Sequence, residues 1–169
     1  AGRQLQHDRG KTLGGSSSIN GMVFIRGNSL DYEGWRQMGC DGWGYADVLP
    51  YFKKMESYSG GGDDFRGDSG PLKVHRSVPK DPLSIAFIKA GKEAGYKETD
   101  DISGYCQEGF GIFDRTVFKG ERWSTTRGYL DPVRDRKNLT IITKALVCKL
   151  ILENNKATGC LLYTSPSPR

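Results

Sequence analysis

The sequence predicts a globular protein of mixed α/β class, because patterns typical of helices and of strands alternate along its 169 residues. Its 36% hydrophobic and 27% charged residues are typical of a chain that buries a core, not of a disordered or fibrous one. No apolar run approaches the roughly 20 residues that a membrane-spanning helix needs. We therefore expect packed structure without a transmembrane segment.

Apolar spacing and capping residues predict several helices. Asp31 is expected to cap a helix that continues through Trp35. Pro82 and Gly95 mark the two ends of an amphipathic helical segment, residues 82–95. Its inward-facing positions are expected to be Ile85, Ile88 and Ala94. The other helical segments are residues 16–22, 45–57 with Pro50 near the front, and 124–129 behind a Ser124-Thr125 cap.

Alternating apolar residues, often β-branched or aromatic, predict strands. In residues 71–76, Leu72 and Val74 alternate with Lys73 and His75, so that His75 is expected on the surface. The Gly- and Asp-rich stretch before this strand, residues 59–70, predicts a surface loop. The other predicted strands are residues 109–118, 139–143 and 146–153, the last followed by a turn at Asn154-Asn155.

Charge and cysteine usage exclude some functions. The net charge of +5 comes from basic residues that are interspersed with acidic ones, so no nucleic-acid-binding face is expected. Without CxxC pairs or neighbouring histidines, no metal site is expected. Sparse cysteines favour free thiols in a reducing, cytoplasmic location, with peripheral attachment to a membrane as an option. The residues concerned are Cys40, Cys106, Cys148, Cys160, His7 and His75.

A small-residue loop, Gly14-Gly15-Ser16-Ser17-Ser18, is the first candidate binding feature. Two glycines let the backbone approach a ligand closely, and the serine hydroxyls add hydrogen-bond donors. Free N–H groups near a helix start suit a phosphate or the polar edge of a cofactor. Taken alone, the run is equally a flexible loop, and it lacks the lysine of a P-loop.

The longer run that contains this loop, residues 9–35, resembles the first sequence signature of the glucose–methanol–choline (GMC) oxidoreductases. It combines Arg9-Gly10-Lys11, Leu13 to Ser17, Asn20-Gly21-Met22, Arg26-Gly27 and Asp31 with Trp35 at fixed spacings. Within the family, choline dehydrogenases and related alcohol dehydrogenases are the most similar. Further matching stretches are residues 67–72, 100–101, 104–105, 107–111, 114–116, 122–125, 128–130 and 138–140 with Val147.

The resemblance implies a piece of a two-domain enzyme. Residues 1–71 and 122–159 would belong to a Rossmann-like FAD-binding domain, and residues 72–121 to a substrate domain built on an antiparallel sheet. The dinucleotide-binding G-x-G-x-x-G is expected before residue 1, and the catalytic histidine after residue 159, so this chain alone is expected to be inactive. Residues 160–169 back-translate to the end of a common sequencing adapter, and we expect them to be read-through; a Ser/Pro linker is the alternative.

The resemblance also assigns cofactor contacts. Gly14 and Gly15 would belong to the flavin-facing loop, in which further residues line the flavin and pyrophosphate, namely Ser16, Asn20, Gly21 and Val23. The backbone of Val147 would meet the adenine. Some family members attach FAD through a histidine just before the motif's asparagine; Ile19 stands there, so non-covalent FAD is expected.

The implied activity is oxidation of a small-molecule primary alcohol, choline being the leading candidate, to the aldehyde by hydride transfer to flavin. The electron acceptor is open between a quinone or respiratory chain and oxygen, the latter making the enzyme an oxidase. A non-enzymatic anion- or nucleic-acid-binding module is the rival from another class. No catalytic residue is assigned: Ser124 and Thr125 lack an activating base, and a helix N-cap explains them.

Overall fold

The computed structural model describes residues 2–163, and the chain divides into two units at residue 133. The predicted mixture of helices and strands is confirmed. In the first unit the elements are β1 (Val23–Phe24), α1 (Ser29–Gln37), α2 (Tyr45–Met55), β2 (Glu56–Tyr58), β3 (Leu72–Arg76), α3 (Pro82–Glu93), β4 (Asp114–Arg115), β5 (Val117–Phe118) and β6 (Glu121–Arg122). The second unit contains β7 (Leu146–Glu153) and β8 (Lys156–Tyr163).

A four-stranded sheet organises the first unit, with the strand order β1-β4-β3-β2. Strand β2 runs parallel to β3, whereas β4 pairs antiparallel with both β3 and β1. Strands β5 and β6 form a separate antiparallel pair. The sheet therefore joins strands from before and after residue 71, and the domain borders inferred from the resemblance stay a prediction.

The helices begin at side-chain caps. Asn28, not Asp31, is the N-cap of α1: its side chain accepts from the Leu30 N–H at 2.9 Å, and Asp31 completes the box by accepting from the Asn28 N–H at 3.2 Å. Asp81 caps α3, and Gly95 follows its end at φ +88°, as expected for a glycine stop. Helix α2 ends before residue 57, because Glu56 enters β2. Pro50 lies inside α2.

The inward face predicted for α3 is wrong. Ile85 is 49% exposed and Ala94 is exposed, whereas Ile88 is half-buried. The buried residue of this helix is Gly91, which lies against the ring of Phe110. A side chain at this position would overlap the Phe110 ring, so glycine lets the helix pack closely against that ring.

Three other predicted elements differ in the structure. The strand expected over 109–118 forms only from Asp114 onward, because Phe110 bonds instead to the backbone of Lys97 and Thr99. Residues 139–143 form no strand, having no partner strand among residues 2–163. The helical segments 16–22 and 124–129 are single turns, a 3-10 turn at Gly15–Ser18 and a π turn at Thr126–Leu130.

The second unit is an antiparallel hairpin. Asn154 and Asn155 form its turn with φ +50° and +60°, the left-handed geometry that tight hairpins favour. Strand β8 includes Cys160 and ends at Tyr163, and every side chain of both strands is exposed. The adapter origin of residues 160–169 stays a prediction, and 164–169 lie outside the described residues.

Charged groups dominate the interior of the first unit. Among the described residues, the buried hydrophobic side chains are Phe24, Val74 and Ile102. Fully buried side chains include Arg66, Glu56 and Asp114, each with 0% exposure. Since an unpaired buried charge is costly, these groups must satisfy one another.

The buried charges form one cluster, which we call the Arg66 cluster. The Arg66 guanidinium donates to Glu56 Oε1 at 2.6 Å, to Asp114 Oδ2 at 2.9 Å and to Asp101 Oδ1 at 2.6 Å. Its Cζ also stands 3.9 Å from the centroid of the Tyr58 ring. The other members are Arg26, which donates to Glu56, and Arg76, whose Nε donates to Asp114 Oδ1 at 2.9 Å.

These contacts act on the guanidinium pKa values in opposite directions. Burial alone lowers the pKa of Arg66, but hydrogen bonds to Glu56 and the charges of Glu56 and Asp101 outweigh it and raise the pKa above its ordinary value. Burial lowers the pKa of Arg26, and the negative charge of Glu56 offsets part of this decrease. Both guanidinium groups remain charged at neutral pH.

Replacing Glu56 by glutamine tests this cluster. The substitution keeps the side-chain shape but leaves Arg26 and Arg66 without their shared carboxylate, so we expect the free energy of unfolding to fall by about 3–5 kcal/mol. The measurement is urea unfolding of the wild-type protein and the variant.

Glu93→Gln is the matched control, because it removes an exposed carboxylate that pairs with Lys89 on the surface of α3. This change is expected to cost less than about 0.5 kcal/mol. Equal costs for the two variants would contradict a stabilising role for the buried cluster.

Candidate functional site

The small-residue loop predicted to bind a ligand is folded back on itself. Gly14 and Gly15 adopt left-handed φ values of +85° and +54°, which glycine tolerates without strain. The 3-10 turn then carries the three serines. A side chain at Gly10 would collide with the carbonyl of Gly15, so this glycine lets the two ends of the loop approach.

Each serine hydroxyl has a partner within the loop. Ser17 Oγ donates to the Gly14 carbonyl at 2.6 Å, and Ser18 Oγ donates to the Leu13 carbonyl at 2.8 Å. Ser16 Oγ accepts from the Gly10 N–H at 3.2 Å. The hydroxyls of Ser17 and Ser18 therefore donate within the loop and are not the free donors expected from the sequence.

A second segment, about 100 residues later in the chain, lies against this loop. From β6, Arg122 Nη1 donates to the Asn20 carbonyl at 2.8 Å, to Asn20 Oδ1 at 2.9 Å and to the Ser17 carbonyl at 3.2 Å. The Thr125 N–H donates to Ser17 Oγ at 3.0 Å, and Thr125 Oγ1 donates to the Gly14 carbonyl at 3.3 Å.

These contacts correct the expectation for Ser124 and Thr125. Thr125 precedes the π turn but makes no side-chain capping bond, because its hydroxyl is used by Gly14 and Ser17. Ser124 is 8% exposed, and its carbonyl accepts from the Gly128 N–H. Thr125 therefore joins the two segments, and neither hydroxyl makes a helix-capping bond.

One side of the loop is left open. A Cβ placed on Gly15 or on Gly21 would meet no atom within 4 Å. Among residues 2–163, the N–H groups of Ser16 and Gly21 have no hydrogen-bond partner, and neither does the side-chain amide of Asn20. Open space beside unpaired donors fits the polar edge of a ligand.

The other predicted contacts are placed as follows. Val23 lies in β1 opposite Arg115 and is 50% exposed, while Ile19 is 53% exposed at the end of the 3-10 turn. Gly14 packs against Thr126, whose buried hydroxyl has no partner among the described residues. Val147 lies in β7 of the second unit, opposite Leu162, and is 52% exposed.

The remaining chemical groups add no second site. His75 is exposed on β3, as expected. All four cysteines are exposed free thiols. In the described part of the chain, no group of three His, Cys, Asp or Glu side chains is arranged to hold a metal ion. No helix between residues 2 and 163 has the length and hydropathy to cross a membrane.

Comparison with known proteins gives one family. The family model described as GMC oxidoreductase matches residues 1–166. The oxygen-dependent choline dehydrogenase of Sinorhizobium fredii is 50% identical over 157 residues, which are 93% of this chain and 28% of that protein. The enzyme of the same name from Staphylococcus haemolyticus is 52% identical over 161 residues, with 94% and 28% covered. The chain thus spans less than a third of the length of these curated relatives.

Solved structures share the fold. Pyridoxine 4-oxidase from Mesorbium loti matches with a TM-score of 0.80 and 33% identity, over 91% of this chain and 31% of that one. An FAD-dependent oxidoreductase from Chaetomium thermophilum matches with a TM-score of 0.83 and 27% identity, over 92% and 29%.

Two alanine substitutions test the folded loop. At Gly15 the added methyl meets only the left-handed backbone, a cost of roughly 1–2 kcal/mol. At Gly14 it would in addition stand 2.5 Å from Ser18 Oγ and 2.7 Å from Thr126 Oγ1. We therefore expect Gly14→Ala to lower the midpoint of thermal unfolding more than Gly15→Ala. The reverse order would contradict the packing of Gly14 against Thr126.

Proposed function

The chain belongs to the GMC oxidoreductase family, and from this we propose that it supplies the flavin-facing loop of an FAD-dependent enzyme that oxidises a primary alcohol. The observation that supports this most is the open side of the loop at Gly15 and Gly21, beside unpaired N–H groups. A flat, polar cofactor edge needs this combination of space and donors. Unpaired N–H groups would also suit an anion, but the family match supports the flavin enzyme and not an anion-binding module.

Bound FAD would supply the hydride acceptor for the alcohol's α-carbon. This chain's part is to bind and orient. Ser16 and Gly21 would donate their N–H groups to the cofactor, and Asn20 would add its side-chain amide, because Asn20 Oδ1 is already used by Arg122 and Met22. Val23 would line the flavin, and Val147 would meet the adenine through its backbone.

The attachment of FAD is proposed to be non-covalent. At the position where some family members carry the linking histidine, this chain has Ile19. An isoleucine side chain offers no nucleophilic atom that could bond to the flavin. Retention of the cofactor then depends on the shape and hydrogen bonds of the loop.

Choline is the proposed substrate, supported by the names of two relatives that are half identical to this chain. The preferred activity is that of a dehydrogenase that passes electrons to a quinone or respiratory chain; an oxygen-using oxidase is the alternative. A cytoplasmic location is proposed, in keeping with four free thiols.

The full-length enzyme that contains this segment tests the proposal. We expect it to purify with flavin absorbance, and anaerobic choline should bleach the oxidised flavin band. After acid precipitation, the flavin should remain in the supernatant, because no covalent bond holds it. Flavin in the pellet would contradict the non-covalent prediction.

The proposed enzyme function would be contradicted if the protein bound no flavin and instead bound polyanions with an affinity that falls steeply with salt.

Mixing the reduced enzyme with air in a stopped-flow instrument separates the two proposed electron acceptors. Slow reoxidation supports the dehydrogenase, whereas fast reoxidation would establish the oxidase.

A further inference from the structure

We propose that Arg122 is a positioning residue that aims the Gly21 N–H at the cofactor, with Thr125 as a second anchor. This inference rests on the proposed function, since it names what holds the flavin-facing loop in its binding shape. Arg122 lies on β6, far from the loop in sequence, and is bonded to the loop at Ser17 and Asn20.

The argument begins with the bonds that Arg122 makes. Its Nη1 donates to two backbone carbonyls, those of Ser17 and Asn20, and to Asn20 Oδ1. No carboxylate within residues 2–163 forms an ion pair with it. This half-buried guanidinium therefore holds the loop at two backbone carbonyls and one amide oxygen.

Because of the geometry of the peptide bond, this contact also sets the direction of the Gly21 N–H. A trans peptide unit is planar, and its C=O and N–H groups point in opposite directions. The Asn20 carbonyl and the Gly21 N–H belong to one such unit. Because Arg122 holds this carbonyl at 2.8 Å, the Gly21 N–H is directed away from Arg122, and it has no hydrogen-bond partner among residues 2–163.

Arg122 supplies the hydrogen bond to the Asn20 carbonyl, while other bonds hold the Asn20 N–H at Ser16 and the Met22 N–H at Asn20 Oδ1. The loop's regular structure is a single 3-10 turn, and Met22 has an unfavourable left-handed φ of +63°. The Asn20 carbonyl accepts from no other donor in the described chain. Without Arg122, the Asn20 carbonyl would lose its hydrogen bond, and the Asn20–Gly21 unit would be held through its neighbours alone.

Arg122 is itself held in place by its neighbours. The Trp123 N–H donates to the Thr116 carbonyl at 2.8 Å, and the Thr116 N–H donates to the Met22 carbonyl at 2.8 Å. Trp123 Nε1 donates to the Pro71 carbonyl at 2.8 Å. The backbone that carries the Arg122 guanidinium is thus fixed by hydrogen bonds. Thr125 holds the other end of the loop at Gly14.

The test compares Arg122→Gln, Arg122→Lys and Thr125→Val in the full-length enzyme. Arg122→Gln removes the charged donor, so we expect the FAD dissociation constant to rise on the order of tenfold or more. With saturating FAD, kcat should fall while the KM for the alcohol stays unchanged, because the proposed role of Arg122 is to position the loop and not to bind the alcohol. Arg122→Lys keeps a charged donor and should recover much of the FAD affinity. Thr125→Val should weaken FAD binding less than Arg122→Gln.

Arg127→Gln is the matched control. It removes a guanidinium from the same segment, but one that pairs with Glu121 on the surface and does not reach the loop. We expect wild-type FAD affinity for it. FAD binding by Arg122→Gln as tight as that of this control would overturn the proposal, and so would a loss that lysine does not reduce.

Hydrogen–deuterium exchange on the apoprotein separates this inference from the proposed function. Arg122→Gln should speed exchange at residues 17–22 on the order of tenfold relative to Arg127→Gln, whether or not FAD binds. A wild-type protein that binds no flavin would contradict the proposed function but not the role of Arg122. Equal exchange rates at residues 17–22 in the two variants would contradict the role of Arg122.

Discussion

The ion pair between Arg66 and Glu56 is the interaction on which the first unit depends. Both side chains are fully buried, and removing either would leave a charge without water or partner. The sheet and the segment after β1 meet at this pair: β2 supplies Glu56, β3 supplies Arg76, β4 supplies Asp114, and Arg26 follows β1. With few buried apolar side chains, the charges determine how these strands are arranged.

This cluster bears on the loop through β1. Arg26, which follows β1, is bonded to Glu56, strand β1 pairs with β4, and the loop's exit at Met22 is bonded to Thr116. The loop's other fixed points are the carbonyls bound by Arg122 and Thr125. A short, irregular loop can therefore keep one face open without collapsing, as a preformed cofactor site requires.

The sequence predicted features that depend on local patterns. Strand β7 follows from its apolar, often β-branched residues, and helix α3 follows from the Pro–Gly pair at its ends. The turn at Asn154-Asn155 follows from the tendency of asparagine to adopt left-handed φ values. The sequence did not predict the roles of Arg122 and Thr125, or the Arg66 cluster, because those contacts join residues far apart in the chain and leave no periodic signal. The failed strand over 139–143 has the same cause: β-branched residues form a strand only where a partner exists.

A crystal structure of the full-length enzyme with FAD bound is the most direct test of the loop as the cofactor site. The flavin should lie on the open side of Gly15 and Gly21, with the Gly21 N–H within about 3 Å of a cofactor acceptor. The guanidinium of Arg122 should remain on the opposite side of the Asn20–Gly21 peptide. Flavin bound away from residues 14–23 would contradict the assignment.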